Sequence, residues 1–161
     1  AYITSYGLYG VITEASDAIS DMAGSFTAFR YDLDGAGNSF TTTATTSKDN
    51  GTTFFSTALT LTLPKLSKED GAELKLLAYG RPQIVVSDRN GNAWCLGKVN
   101  GNSLTSATMQ SGDARADMAG YVLEFGSEEI APPDLMNGAT VANPFAGMSS
   151  ATVTITAGTN S

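Results

Sequence analysis

Between residues 55 and 99 the hydrophobic period runs from two, to helical, and back to two, which restricts the fold more than any other feature of the chain. Phe55, Thr57, Leu59, Leu61 and Leu63 alternate with Ser56, Ala58, Thr60 and Thr62, the pattern of a strand with one buried face. Ser67 then offers an N-cap, and Glu69 and Asp70 bring negative charge to a first helical turn. Leu74, Leu77 and Ala78 give that helix an apolar stripe, and Gly80 with Pro82 ends it, predicting a helix over about residues 67–79. Residues 83–88 and 93–96 flank Arg89-Asn90-Gly91-Asn92. Asn-Gly between apolar runs predicts a hairpin with a type I′ turn, because that turn needs two residues that tolerate positive φ.

The remaining segments add strands. Residues 2–13 are aromatic and apolar, and read as a strand or extended arm with Tyr6 and Tyr9 as packing anchors. Residues 14–23 predict a short helix from the three-residue spacing of Ile19 and Met22. Residues 26–33 predict a strand ending in a turn over 32–38. The Thr-rich stretch 40–53 reads as the far arm of a long hairpin or as a surface loop. Further on, 104–109 predicts a short strand, 111–119 a loop, and Tyr121, Leu123 and Phe125 another half-buried strand. Pro132-Pro133 breaks the pattern. After a loose polar segment, Val153 and Ile155 alternate with Thr152, Thr154 and Thr156, a terminal strand suited to pairing with a neighbouring subunit's sheet edge. The expected fold is mainly β: a β-sandwich or barrel with one flanking α-helix and extended terminal arms. Residues 1–136 form the domain, and 137–161 a C-terminal arm with a short terminal strand.

Composition narrows the function. The 161 residues suffice for one domain with a real core. A net charge of −7, with nine scattered Lys and Arg, argues against a partner bound through phosphate neutralisation. No 18-residue apolar run predicts a membrane helix. The lone Cys95 rules out an intramolecular disulfide and, beside Trp94, reads as a buried thiol. The start at Ala1, without a charged and apolar leader, reads as a cytoplasmic product trimmed of its initiator Met, or as a processed secreted chain.

The chain has no histidine, which removes the commonest general base, Ser-His and Cys-His nucleophile pairs and most zinc sites. No glycine-rich phosphate cradle is present. Asp32, Asp34 and Asn38 resemble the start of a calcium loop, but Ala36 and Thr43 stand where its fifth and twelfth ligands belong, and a plain turn explains the residues better. Asp88, Asn90 and Asn92 invite the same comparison, and hairpin chemistry accounts for them. Glu124, Glu128 and Glu129, or Asp113 and Asp117, are the last catalytic option, as carboxylate pairs. A solvated face is the commoner meaning of such clusters, so no enzyme and no cofactor is expected. Tyr2, Tyr6, Tyr9 and Trp94 would make a sugar-binding platform if exposed, although core packing is the commoner use of each.

The run from Leu76 through Tyr79-Gly80-Arg81-Pro82 and Asn90-Gly91-Asn92 to Trp94 resembles structural proteins of tailed bacteriophages. Leu96-Gly97, Asn100-Gly101, Ala116-Asp117-Met118-Ala119-Gly120-Tyr121, Phe125 and Glu128-Glu129 continue the likeness, which covers residues 54–135 and is greatest to tail-tube (major tail) proteins. The resemblance implies a β-sandwich or barrel with a flanking helix, assembled as a hexameric ring that stacks into a tube. It implies a virion location, synthesis in the host cytoplasm, other virion proteins as partners, and DNA only as passing cargo. An acidic lumen would not hold that cargo. Candidate interface residues are Tyr2, Tyr6 and Tyr9 in the N-terminal arm, Phe40 in the Thr-rich stretch, and Phe145, Val153 and Ile155 in the tail. Deleting residues 143–161 is then expected to abolish polymerisation and leave the core folded. The alternative is a monomeric capsid-decoration or carbohydrate-binding β domain.

Overall fold

The computed structural model describes residues 1–33, 37–64, 75–112 and 119–158. Among the described residues the fold is mainly β, with a curled eight-stranded sheet, a four-stranded sheet and one short helix. The strands are β1 (Tyr2–Thr4), β2 (Ile12–Ala15), β3 (Ala18–Met22), β4 (Gly24–Arg30), β5 (Ser39–Ser47), β6 (Thr52–Pro64), β7 (Gln83–Ser87), β8 (Ala93–Leu96), β9 (Ser103–Gln110), β10 (Gly120–Glu129), β11 (Asp134–Met136) and β12 (Ala151–Ala157). Residues 75–79 are helical, as the sequence predicts. Ser67 and Leu74, of the expected cap and stripe, lie outside the described residues.

The alternation in residues 55–63 produces the four-stranded sheet, ordered β5-β6-β10-β9 and antiparallel throughout. Leu59, Leu61 and Leu63 sit opposite Phe125, Leu123 and Tyr121, and all six are at most 6% exposed. The stretch 40–53 is the far arm of a hairpin, its ladder running from Ser39↔Thr60 to Ser47↔Thr52. Because the β10 ladder ends at Glu129↔Phe55, the hairpin tip continues past the sheet as a two-stranded ribbon.

The eight-stranded sheet has the order β12-β4-β1-β7-β8-β11-β3-β2. Its central strands are buried on both faces, so their neighbouring residues enter different cores. Ile3, Ile84 and Leu96 turn toward the four-stranded sheet, while Tyr2, Val85 and Cys95 turn into the curl with Ile19, Met22, Phe26 and Met136. Each fully buried side chain of this size contributes on the order of 1.5–3 kcal/mol through apolar burial.

Three expectations are corrected. Residues 14–23 form the β2–β3 hairpin and not a helix. Ser16 and Asp17, at φ 55° and 59°, make its two-residue turn, and a bulge at Ser20 returns Ile19 and Met22 to one face despite their spacing. The N-terminal segment is no arm, since β1 lies in mid-sheet between β4 and β7. The C-terminal segment is no extended arm either. Phe145 enters the curl at ring-centroid distances of 6.2 Å from Tyr2 and 5.5 Å from Phe26, Met148 is buried beside it, and β12 pairs parallel with β4 of its own chain. Deleting 143–161 would therefore open the core.

The β7–β8 hairpin is present, but with a five-residue loop in which Gly91 alone has positive φ, at 88°. The Asp88 carboxylate organises it by accepting hydrogen bonds from Asn90 N, Asn92 N and Asn92 Nδ2 at 2.8–2.9 Å. These bonds, led by that of the Asn92 side chain, hold the Asp88 pKa below the usual carboxylate value.

Candidate assembly interface

Three strands end their sheets without a charge. β5 (SFTTTATTS), β9 (SLTSATMQ) and β12 (ATVTITA) contain no Asp, Glu, Lys, Arg or Pro, and each has a strand partner on one side only among the described residues. Soluble monomers commonly guard such edges with charge, proline or covering structure, because unpaired N–H and C=O groups recruit further strands. The fourth edge, β2, is guarded. Its Glu14 and Asp134 of β11 both accept hydrogen bonds from Lys98 Nζ. Burial works to lower the Lys98 pKa, but the two carboxylates outweigh it and hold the ammonium above its ordinary value.

The four-stranded sheet also has one uncovered face. Alternation turns Thr41, Thr60, Val122, Glu124, Glu128 and Thr108 away from the core. Its four strands hold no Lys or Arg, so the charge on this face is acidic. Glu124 and Glu128 lie four residues apart on one strand, roughly 13 Å by strand rise, beyond the carboxylate separation that glycoside hydrolysis uses. Glu129 points the other way, accepting from Val99 N and Asn100 N at 3.0 and 2.8 Å. Asp113 and Asp117 lie outside the described residues.

The interface candidates divide. Tyr2, Tyr9 and Phe145 are 4%, 9% and 3% exposed, and so belong to the core and offer no surface to a partner or a sugar. The Tyr9 hydroxyl lies 2.8 Å from Thr4 Oγ1, and burial pushes its pKa up. Tyr6 is exposed, with its hydroxyl donating to Val99 O at 2.9 Å and Arg81 over its ring at 4.5 Å. Phe40 is half-buried against Trp94, ring centroids 6.0 Å apart, joining the two sheets. Val153 and Ile155 are half-buried on the inner face of β12, whose outer edge has no strand partner among the described residues.

Of the calcium candidates, Asp32 accepts from Arg30 at 3.1 Å and Asn38 Oδ1 accepts the Thr62 N–H at 2.7 Å. Asp34 lies outside the described residues. Among the described residues no group of three or more acidic or Cys side chains is placed to hold a metal. Cys95 is fully buried, and desolvation pushes its thiol up to about 12, leaving it unreactive. No described helix is long and apolar enough to cross a membrane. Sequence reading singled out Phe40 in the stretch that forms β5 but no residue of β9, although the absence of charge in Ser103–Gln110 was the available signal. No protein-family model, curated protein or solved structure matches this chain.

Proposed function

We propose that this protein is a self-assembling virion structural protein of the tail-tube kind, whose copies join edge to edge into a ring around a conduit for DNA. The observation that carries this reading is the pair of bare edges on the four-stranded sheet. With four antiparallel strands, β5 and β9 run in opposite directions. A copy rotated about an axis parallel to the strands brings its β9 antiparallel to β5 of the first, continuing the sheet without a break. Such a head-to-tail contact generates a ring where its rotation closes. The acidic, hydroxyl-rich face supports the same reading, since facing the lumen it would repel a passing polyanion. The hairpin tip beyond the sheet would reach toward the next ring.

Native mass and negative-stain images of the purified chain test this, beside Thr43→Lys at the centre of β5. Rings or tubes of uniform diameter that Thr43→Lys abolishes, with the fold intact by circular dichroism, are expected. Rings that form equally well with the lysine in place would overturn the β5–β9 contact.

A further inference from the structure

The third bare edge has a property the other two lack, because β12 reads almost the same in both directions. Ala151-Thr152-Val153-Thr154-Ile155-Thr156-Ala157 is symmetric about Thr154, with Val and Ile, both β-branched, as its single mismatch. β12 is held by β4 along one side over its full length, from Ala151↔Gly24 to Ala157↔Arg30. The other side has no strand partner among the described residues. Thr152, Thr154 and Thr156 are exposed, while Val153 and Ile155 pack on the core within the curl.

We propose that this edge is a two-fold contact, in which β12 pairs antiparallel with β12 of a second copy of this chain about an axis midway between the two Thr154 residues. A two-fold interface sets one patch against itself, so its residues must complement their own mates. Centred on Thr154, the pairing places Ala151 opposite Ala157, Thr152 opposite Thr156 and Val153 opposite Ile155. Opposed residues share a face. Thr therefore meets Thr on the exposed side and Val meets Ile on the core side, both favourable cross-strand combinations. No like charges oppose each other, and a one-residue slip would put Thr against the apolar face. The same operation on β5 sets Phe40 against Thr46 and Thr42 against Ala44, and on the eight residues of β9 it centres on no residue and sets Ser103 against Gln110 and Ser106 against Ala107.

The contact is independent of the ring, which uses β5 and β9. An isologous pair closes on itself and yields a dimer, never a polymer. It covers one adhesive edge of the free subunit.

Disulfide trapping tests the register on the full chain. Residues directly opposite in an antiparallel pair have Cβ atoms about 4.5–5.5 Å apart, close to what a disulfide spans. Thr154→Cys meets its own mate, whereas Thr152→Cys lies roughly 13 Å from its mate by strand rise. The native Cys95 is buried and does not compete. Under mild oxidation Thr154→Cys is expected to form covalent dimer at least ~10-fold faster than Thr152→Cys. In sedimentation with the ring blocked by Thr43→Lys, the chain dimerises with concentration, and adding Thr154→Lys abolishes that dimer. Equal trapping rates, or no dimer of the Thr43→Lys chain at any concentration, would overturn the two-fold contact and leave the β5–β9 ring untouched. Loss of rings in Thr43→Lys with trapping at Thr154 intact would show the reverse independence.

Discussion

The two sheets are made from similar strands and finished in different ways. In the eight-stranded sheet, β1, β7 and β8 are buried on both faces, the β2 edge is charged, and Phe145 with Met148 fills the open side of the curl. The four-stranded sheet buries one face, leaves the other to solvent and ends on two uncharged strands. On the proposed function, stability and adhesion are thereby separated: changes inside the curl are expected to act on folding, and changes at the edges of the smaller sheet on association.

Substitutions of graded size probe that separation. Phe145→Ala should cost about 3–5 kcal/mol, as large aromatic truncations in cores do. Phe54→Ala on the projecting hairpin should stay within about 0.5 kcal/mol. Urea unfolding of both would break the comparison if the two costs were alike. Next comes Asn102→Ala. The buried Asn102 Nδ2 donates to Pro82 O at 3.0 Å and Leu96 O at 2.9 Å, and removing it takes a donor from both carbonyls, while Pro82 O keeps the Asn102 backbone N–H at 2.8 Å. A loss of about 1–3 kcal/mol follows, read by the same unfolding curves. Thr43→Lys belongs to the opposite class, with stability changed by about 0.5 kcal/mol or less and association lost.

The smallest effect is one of pH. The Asp21 carboxylate accepts from Ser150 Oγ, Ser150 N, Met22 N and Ser149 Oγ, fastening the entry to β12. Those bonds, that of the Ser150 hydroxyl foremost, hold its pKa below the usual value. A depressed folded pKa means that the contribution is fully present above the unfolded value, about 3.9, and is lost as pH falls through the folded one. Amide exchange in β12 should accelerate over that acid range, and Asp21→Asn should remove the dependence. Exchange that ignored pH in the wild-type chain, once corrected for intrinsic rates, would sever Asp21 from β12.

Much of the fold was legible because half-buried strands write their period plainly. Leu59, Leu61 and Leu63 announced β6, and Tyr121, Leu123 and Phe125 announced β10. Where one residue broke the period, the pattern misled. Ser20 as a bulge gave Ile19 and Met22 a helical spacing inside a strand. Periodicity also reports which face is buried and not which neighbour lies alongside. Val153 and Ile155 therefore revealed β12, while its partner β4, far away in sequence, stayed hidden. An aromatic side chain is equally ambiguous from sequence. Tyr2, Tyr9 and Phe145 have the chemistry of an interface, and chain topology alone puts them inside.

The central position of β1 bears on how the chain is made. Tyr2 leaves the ribosome well before Val85 and Phe145, yet it pairs with Arg30 and Val85 and is covered by Phe145. A nascent chain that ends short of Phe145 lacks Phe145 and Met148 of the curl's core and the strand β12 that follows them. The curl thus acts as a completeness check during translation. Chains stalled before that residue should remain protease-sensitive, and those stalled well beyond Ala157 should resist.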